Sequence, residues 1–203
     1  MRLYKVTSAD GSACHGGTGC WPLPHAGKPG NWRKVEGRLV RCKNGLHLLR
    51  RKDVIERCNG EAIWLVEARP GTDTLRFDDE IVVREARLVE RLAWNERIVR
   101  HFACDCAEWA LKGERKAGRE PDTRSWDAIR VARLYADGMA DVAELTAAKS
   151  AAWSAVESAA GSAAWSAAWS AAESAARSAA RAWQTRRLMD YLHGRRVLPL
   201  LDT

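Results

Sequence analysis

Seven thiol and imidazole groups fall within the first 58 residues of this 203-residue chain: Cys14, His15, Cys20, His25, Cys42, His47 and Cys58. A zinc site would draw on such a set, because thiolates and imidazoles are the ligands that metal prefers. The spacing does not follow. No CxxC occurs, and CKNGLH, with Cys42 and His47 five apart, fits no zinc module. Free thiols and hydrogen-bonded histidines are the simpler reading, and no metal site is expected. Cys104 and Cys106 flank Asp105 within a helical pattern, where residues two apart point about 200° from each other and do not share a metal. Cys106 reads as core. Asp105 with Glu108 reads as an exposed edge or as a buried anchor for an arginine.

Anion chemistry is better represented. Residues 1–57 hold 12 Lys and Arg against 4 Asp and Glu, whereas residues 101–203 hold 14 against 13, so the net charge of +7 belongs to the N-terminal part. Such an excess concentrates anionic partners without choosing among nucleotides, nucleic acid and acidic protein surfaces. A merely solvated basic face is the rival reading. The candidate ligand-binding residues are Arg33, Arg38, Arg41, Arg50 and Arg51, on the expectation that a strand Gly37–Arg41 lies beside Leu46–Leu49 and brings Arg38, Arg41 and Arg50 to one rim. Trp21 and Trp32, in the Gly- and Pro-rich loop between the first two strands, are candidates to stack on a base. The glycines of CHGGTG would offer backbone N–H groups to a phosphate.

One catalytic arrangement is a rival to simple binding. ADP-ribosyltransferase-like folds use an early strand with a His or Arg that holds a nicotinamide nucleotide, a later strand and helix, and a Glu on a late strand that orients the nucleophile. His15 in CHGG, the stretch NGLHLLRRKDVIE and Glu80 in FDDEIVVREARL can be set in those places. LHLLRR has Leu where a hydroxyl is wanted.

The elements that must position these residues change period along the chain. Residues 1–92 read as a basic, β-rich domain, with strands at Arg2–Val6, Gly37–Arg41, Leu46–Leu49, Ala62–Ala68 and Glu80–Leu88 and a short helix after LHLL. The loop after the first strand runs to about thirty residues, well beyond the usual ~4–6, and so reads as functional or mobile. Residues 93–203 read as helical. Ile98, Val99, Phe102, Ala103, Cys106, Ala107, Ala110 and Leu111 follow the i, i+3, i+4 rule, and a second helix follows Pro121 and stops at Gly138. Asp141 and Glu144 have the spacing of a capping box and open the last helix.

That last helix carries eight tandem tetrads, Ser150–Arg181, each beginning Ser-Ala apart from the variable last place. Four residues turn about 400°, so each tetrad sits about 40° further round and no Ser stripe forms. The drift brings Trp165, Trp169 and Trp183 to one face and leaves Glu173, Arg177 and Arg181 as a polar edge. The helix is expected to be the spine of an Ala/Trp-rich bundle, with a break at Gly161, because an unbroken run to Leu192 would reach about 75 Å. It also offers a surface for a second copy of the chain.

Two resemblances add to these readings. LYKVT, ACHGGTG, GRLVRCKNGLHLLRR and DDEIVVREARL resemble uncharacterised domains of phage and prophage proteins, which implies a phage accessory gene and no particular activity. The stretch His101–Leu192, through ACDCAEWAL, REPDTRSWDAIRVARLYADG and ELTAAKSAAWSA, resembles immunity proteins of bacterial polymorphic toxin systems. That likeness implies a helical, non-catalytic binding module.

The fold expected is therefore α+β, a small basic β-rich domain followed by a helical one. The function expected is that of a phage- or prophage-encoded protein that inhibits or sequesters a toxin, a defence effector or a nucleotide-like signal, without a cofactor. An enzyme acting on a nicotinamide nucleotide and a nucleic-acid-binding accessory protein are the rivals. No window reaches the ~18 apolar residues of a membrane span and MRLYKVTSADGS has no apolar signal core, so the host cytoplasm is the expected location.

Overall fold

The computed structural model describes residues 2–160, 169–196 and 198, and within them the protein is α+β. Seven strands come first, with one helical turn among them: β1 (Leu3–Thr7), β2 (Arg33–Lys34), β3 (Leu46–Arg50), α1 (Val54–Arg57), β4 (Ala62–Ala68), β5 (Thr74–Arg76), β6 (Ile81–Val83) and β7 (Glu85–Arg91). Four long helices follow, α2 (Glu96–Lys116), α3 (Thr123–Ala136), α4 (Val142–Ala160) and α5 (Trp169–Leu192). None of the described helices is long and apolar enough to cross a membrane. The chain divides into two compact units. Unit 1 is Met1–Asn95 together with Thr185–Arg196, and unit 2 is built on Glu96–Gln184.

In unit 1 all strand pairs are antiparallel and the order is β2-β7-β4-β1-β3-β6-β5. The central strand β1 thus lies between β3 and β4. One consequence of this order is curvature: β6 and β7 are separated in sequence only by Arg84, yet they lie on opposite sides of β1. Arg84 marks the change of partner, its guanidinium reaching the carbonyls of Val35 (3.2 Å) and Gly37 (2.8 Å) and ion-pairing with Asp73. A single strand over Glu80–Leu88 is therefore replaced by two short ones with different neighbours.

The core follows from strand alternation. Leu46, Leu48 and Leu88 are buried in one cluster with Trp64, whose indole N–H donates to Thr7 Oγ1 at 2.7 Å, while Ile63, its neighbour on β4, is wholly buried on the other face. That bond matters because a buried indole N–H left unpaired costs about 1–3 kcal/mol. The segment Thr185–Arg196 completes the same unit, since the carbonyl of Leu192 accepts from Ala93 N–H (3.2 Å) and Leu188, Met189, Tyr191 and Leu192 are each at most 2 % exposed. The sequence reading had placed that segment with the helices.

The expected strand Gly37–Arg41 does not form. Gly37 has φ 75° and Cys42 φ 58°, so the chain bends left-handed at both ends of that stretch, and only Val40 makes an isolated bridge, to Asn44. The Asn44 side-chain amide donates to the carbonyls of Glu36 (2.7 Å) and Arg38 (2.9 Å) and locks the bend. Gly45 follows with φ 147°, and a Cβ there would meet Val82 at 2.2 Å, so this position excludes every side chain.

In unit 2 the helix signals are realised. Asp122 caps α3 by accepting from Arg124 N–H, and Asp141 and Glu144 exchange reciprocal bonds of 2.8 Å that open α4 as a capping box. The inner face of α2 departs from expectation: Cys104, not Cys106, is buried, because Asp105 beside it turns inward to Arg133 of α3 (2.8 Å), which also holds Glu108 (2.6 Å). His101 is buried as well and reaches Asp137, which Arg97 also binds. Trp183 stacks on Trp109 at 5.4 Å. Trp165, the side chain of Trp169 and the break expected at Gly161 lie outside the described residues.

Candidate functional site

A cavity of about 590 Å³ in unit 1 opens over the β1-β3-β6 part of the sheet. Three neighbouring strands each bring one polar group to it: Lys5 from β1, His47 from β3, and Glu80 from the residue before β6. Lys5 Nζ donates to the carbonyl of His47 at 3.1 Å. His47 Nδ1 lies 3.0 Å from one oxygen of Glu80, and Arg41 Nε donates to the other at 2.8 Å. Arg41 also holds Asp79 with both oxygens at 2.7 Å and lays its guanidinium over the ring of Phe77.

Burial and charge tune these groups in opposite directions. Burial pushes the Lys5 amine below its ordinary range; Arg33 and Arg57 add to the effect, while Cys14 and Glu80 oppose it. For Glu80, burial acts upward, but the hydrogen bonds from His47 and Arg41 outweigh it and hold the carboxyl below its ordinary value. Glu80 is therefore a fixed anion, and Lys5 is an amine closer to neutrality than an exposed lysine.

The long loop forms the opposite wall. It is pinned at two places: Trp21, 3 % exposed, donates its backbone N–H to the carbonyl of Gly11 (3.0 Å), and Gly30 N–H donates to the carbonyl of Leu88 of β7 (2.9 Å). Between Gly11 and Trp21 runs HGGTG, residues 15–19, which line the cavity. The N–H groups of residues 16–19 donate to no protein acceptor among the described residues. His15 is held from outside the loop, its Nε2 2.6 Å from Asn59 Oδ1, with the Cys14 thiol 3.2 Å from its Nδ1.

Arg33 closes this wall. Its NH1 donates to the carbonyl of Cys20 at 2.9 Å, and the guanidinium lies over the Trp21 ring at 5.5 Å. A Cβ on Gly19 would fall 1.8 Å from its NH2. Gly19→Ala should therefore leave the fold nearly unchanged and push Arg33 out of place, which an altered Trp21 emission at a nearly constant melting temperature would show. A melting temperature that falls steeply would mean that Gly19 serves the fold instead.

Of the residues singled out from sequence, His15, Trp21, Arg33, Arg41 and Glu80 come together here. The others do not. Trp21 lines the cavity but is buried beneath Lys5 and Arg33, so its ring is not open to a base. Trp32 is elsewhere, with the guanidiniums of Arg69 and Arg87 over its ring at 4.0 and 4.5 Å. Arg38 lies in the exposed bend that replaces the expected strand. Arg50 and Arg51 line a separate cavity, and Arg50 is bound to Asp53 at 2.7 Å. The shared rim of Arg38, Arg41 and Arg50 is thus absent, because the strand that was to align it is a turn. Lys5 was not singled out, although a lysine between Tyr4 and Val6 in a central strand is itself the signal: a charge where alternation places an inward side chain.

Among the described residues no group of three or more His, Cys, Asp or Glu is placed to hold a metal ion. Comparison with protein-family models, with curated proteins and with solved structures found no match. Fold and site together define an α+β protein whose curled antiparallel sheet carries a cation-lined cavity around one fixed carboxylate.

Proposed function

We propose that this protein binds an anionic, nucleotide-like ligand in the cavity of unit 1 and acts by sequestering that ligand or the partner that carries it. The observation that carries the reading is the convergence of Lys5, Arg33, Arg41 and Arg57 with the unbonded amides of residues 16–19 on one cavity whose lining includes a single carboxylate, Glu80. Cations and oriented N–H groups around one hollow are the chemistry that recognises phosphate oxygens. The basic character of residues 1–57 supports the same class of ligand through long-range attraction. The likeness of LYKVT, ACHGGTG and GRLVRCKNGLHLLRR to phage and prophage domains supports a role in phage–host conflict, in the cytoplasm of the host. The likeness of His101–Leu192 to toxin-immunity proteins supports a binding role for the Ala/Trp-rich helical part.

A second reading is favoured by one specific feature. Lys5 and His47 stand on an early and a middle strand and Glu80 directly precedes a late one, the three strands being neighbours in the sheet, the arrangement a nicotinamide-nucleotide transferase would use, with Lys5 in the place of His15. In that reading Glu80 orients the nucleophile and Lys5 holds the nucleotide.

Thermal shift with ADP-ribose, NAD and cyclic nucleotides tests both. A ligand at a hundred times its Kd stabilises by about 2.7 kcal/mol, well above detection. The shift should vanish in Arg33→Gln and persist in Arg69→Gln, whose guanidinium lies over Trp32. Binding without turnover supports sequestration, and NAD turnover lost in Glu80→Gln supports the transferase. A flat response to the whole panel overturns both.

A further inference from the structure

Strand alternation puts Lys5 and Tyr4 on opposite faces of β1, and Tyr4 lines a second cavity of about 350 Å³. Its floor is apolar, made by the Tyr4 ring and Met189, which are 2 % and 1 % exposed. Its rim is cationic. Three of the rim cations are neutralised within the protein, Arg50 and Lys52 by Asp53 at 2.7 and 3.6 Å and Arg195 by Asp190 at 2.9 Å. Arg2 and Arg51 have no carboxylate partner among the described residues, although both line the same hollow.

His193 lines the same hollow. Its Nε2 lies 3.2 Å from the Tyr4 hydroxyl. Burial raises the Tyr4 phenol above its ordinary range, against Arg2, Arg51 and Arg195, so the phenol keeps its proton. A neutral phenol both donates and accepts, so this contact suits either tautomer of His193, and the charged imidazole presents an N–H at Nδ1. Burial first, and then Arg195, Arg2 and Arg51, hold this imidazole below its ordinary value, with Glu90 opposing. Two guanidiniums without a carboxylate partner and an imidazole around an apolar floor suit a compact group of negative charge.

We propose that this second cavity is a binding site for the phosphoryl group of a phosphomonoester, with Arg2 and Arg51 supplying charge and His193 a hydrogen bond. Guanidiniums bind such oxygens through paired N–H groups, and the floor accepts the apolar part of the molecule that bears the phosphate. A nucleic-acid backbone is disfavoured because it needs a groove that passes successive phosphates, whereas Tyr4 and Met189 close this hollow from below. Bound dianion also favours the charged imidazole, so proton uptake at His193 accompanies binding.

The test uses the full chain and two probes. Inorganic phosphate, followed by calorimetry and by amide chemical shifts, should bind saturably. Affinity should fall at least tenfold in Arg2→Gln and in Arg51→Gln, both exposed positions, and should stay within twofold in Arg69→Gln, which lines neither cavity. Sulfate, whose charge is constant over the range, should bind more tightly at pH 5.5 than at pH 8, and this dependence should flatten in His193→Gln. Ribose 5-phosphate and an oligonucleotide with a 5′ phosphate distinguish a small ligand from a strand end, and binding of either supports the site. Phosphate binding that does not saturate, or that is unchanged in both arginine variants, overturns the proposal. So does an oligonucleotide without a terminal phosphate that outcompetes ribose 5-phosphate.

Discussion

Ending the chain after Gln184 should unfold unit 1. The segment Thr185–Arg196 places Leu188, Met189, Tyr191 and Leu192 at 2 % exposure or less and adds the Leu192 carbonyl as acceptor for Ala93 N–H. Truncating a single buried leucine to alanine costs about 2–5 kcal/mol, through lost transfer free energy and the cavity left behind. A domain has only about 5–15 kcal/mol in total, so removing four such side chains exceeds what the remaining core can supply. Leu188→Ala alone should lower the urea midpoint with an unchanged slope. The chain 1–184 should show no cooperative melting of the sheet and rapid proteolysis between residues 2 and 95. A truncated chain that melts like the full one would show that the sheet closes its core without this segment.

The second large effect is expected at Glu80. Glu80→Ala removes the one carboxylate that lines the first cavity, and it removes the acceptor that orients His47 and Arg41. Arg41 retains Asp79 and is 41 % exposed on its side chain, so most of the cost falls on His47 and on lost packing. Stability should drop by roughly 1–3 kcal/mol. The pH dependence has a definite sign. Because the folded-state carboxyl is held below its ordinary value of 4.5, its contribution is complete above that value and is lost as pH falls through the lower, folded one. The stability gap between the wild type and Glu80→Gln should therefore be full at pH 7 and close on acidification below about pH 4. Denaturant melts of the two proteins across that range would read it. A gap that is constant with pH would show that packing, not charge, gives Glu80 its weight.

The parts of this fold that were legible in the sequence are those whose signals are local. Leu3–Thr7, Leu46–Arg50 and Ala62–Ala68 show themselves by alternation, and Asp141 with Glu144 by spacing alone. Strands β2 and β5, of two and three residues, are too short to carry a period, and each has a sheet neighbour on one side only. GRLVR alternates like a strand, but Gly37 and Cys42 take left-handed backbone there, and tertiary bonds from Asn44 prevail over the pattern. The site divides in the same way. Arg33 and Arg41 were visible as residue types suited to an anion, and His15 and Glu80 as the groups a nicotinamide-nucleotide transferase would need. Their grouping with Lys5 and His47 depends on β1, β3 and β6 being neighbours, which strands of one chain decide through long-range pairing and not through any local sequence. The division of Arg41 from Arg50 and Arg51 into separate cavities has the same origin.

Helix α5 begins in unit 2 and ends in unit 1, and this gives the protein an order of assembly. All seven strands are synthesised before residue 96, yet the residues that seal their core come after residue 184. At translation rates of about 5–20 residues per second, the sheet waits on the order of several seconds at the ribosome with its apolar face uncovered. An incomplete product therefore carries a recognisable defect, an open sheet, that chaperones and proteases can read. The second cavity, whose lining includes Met189, His193 and Arg195, cannot be finished on a nascent chain, and any ligand it takes is withheld until synthesis has passed the tetrad run.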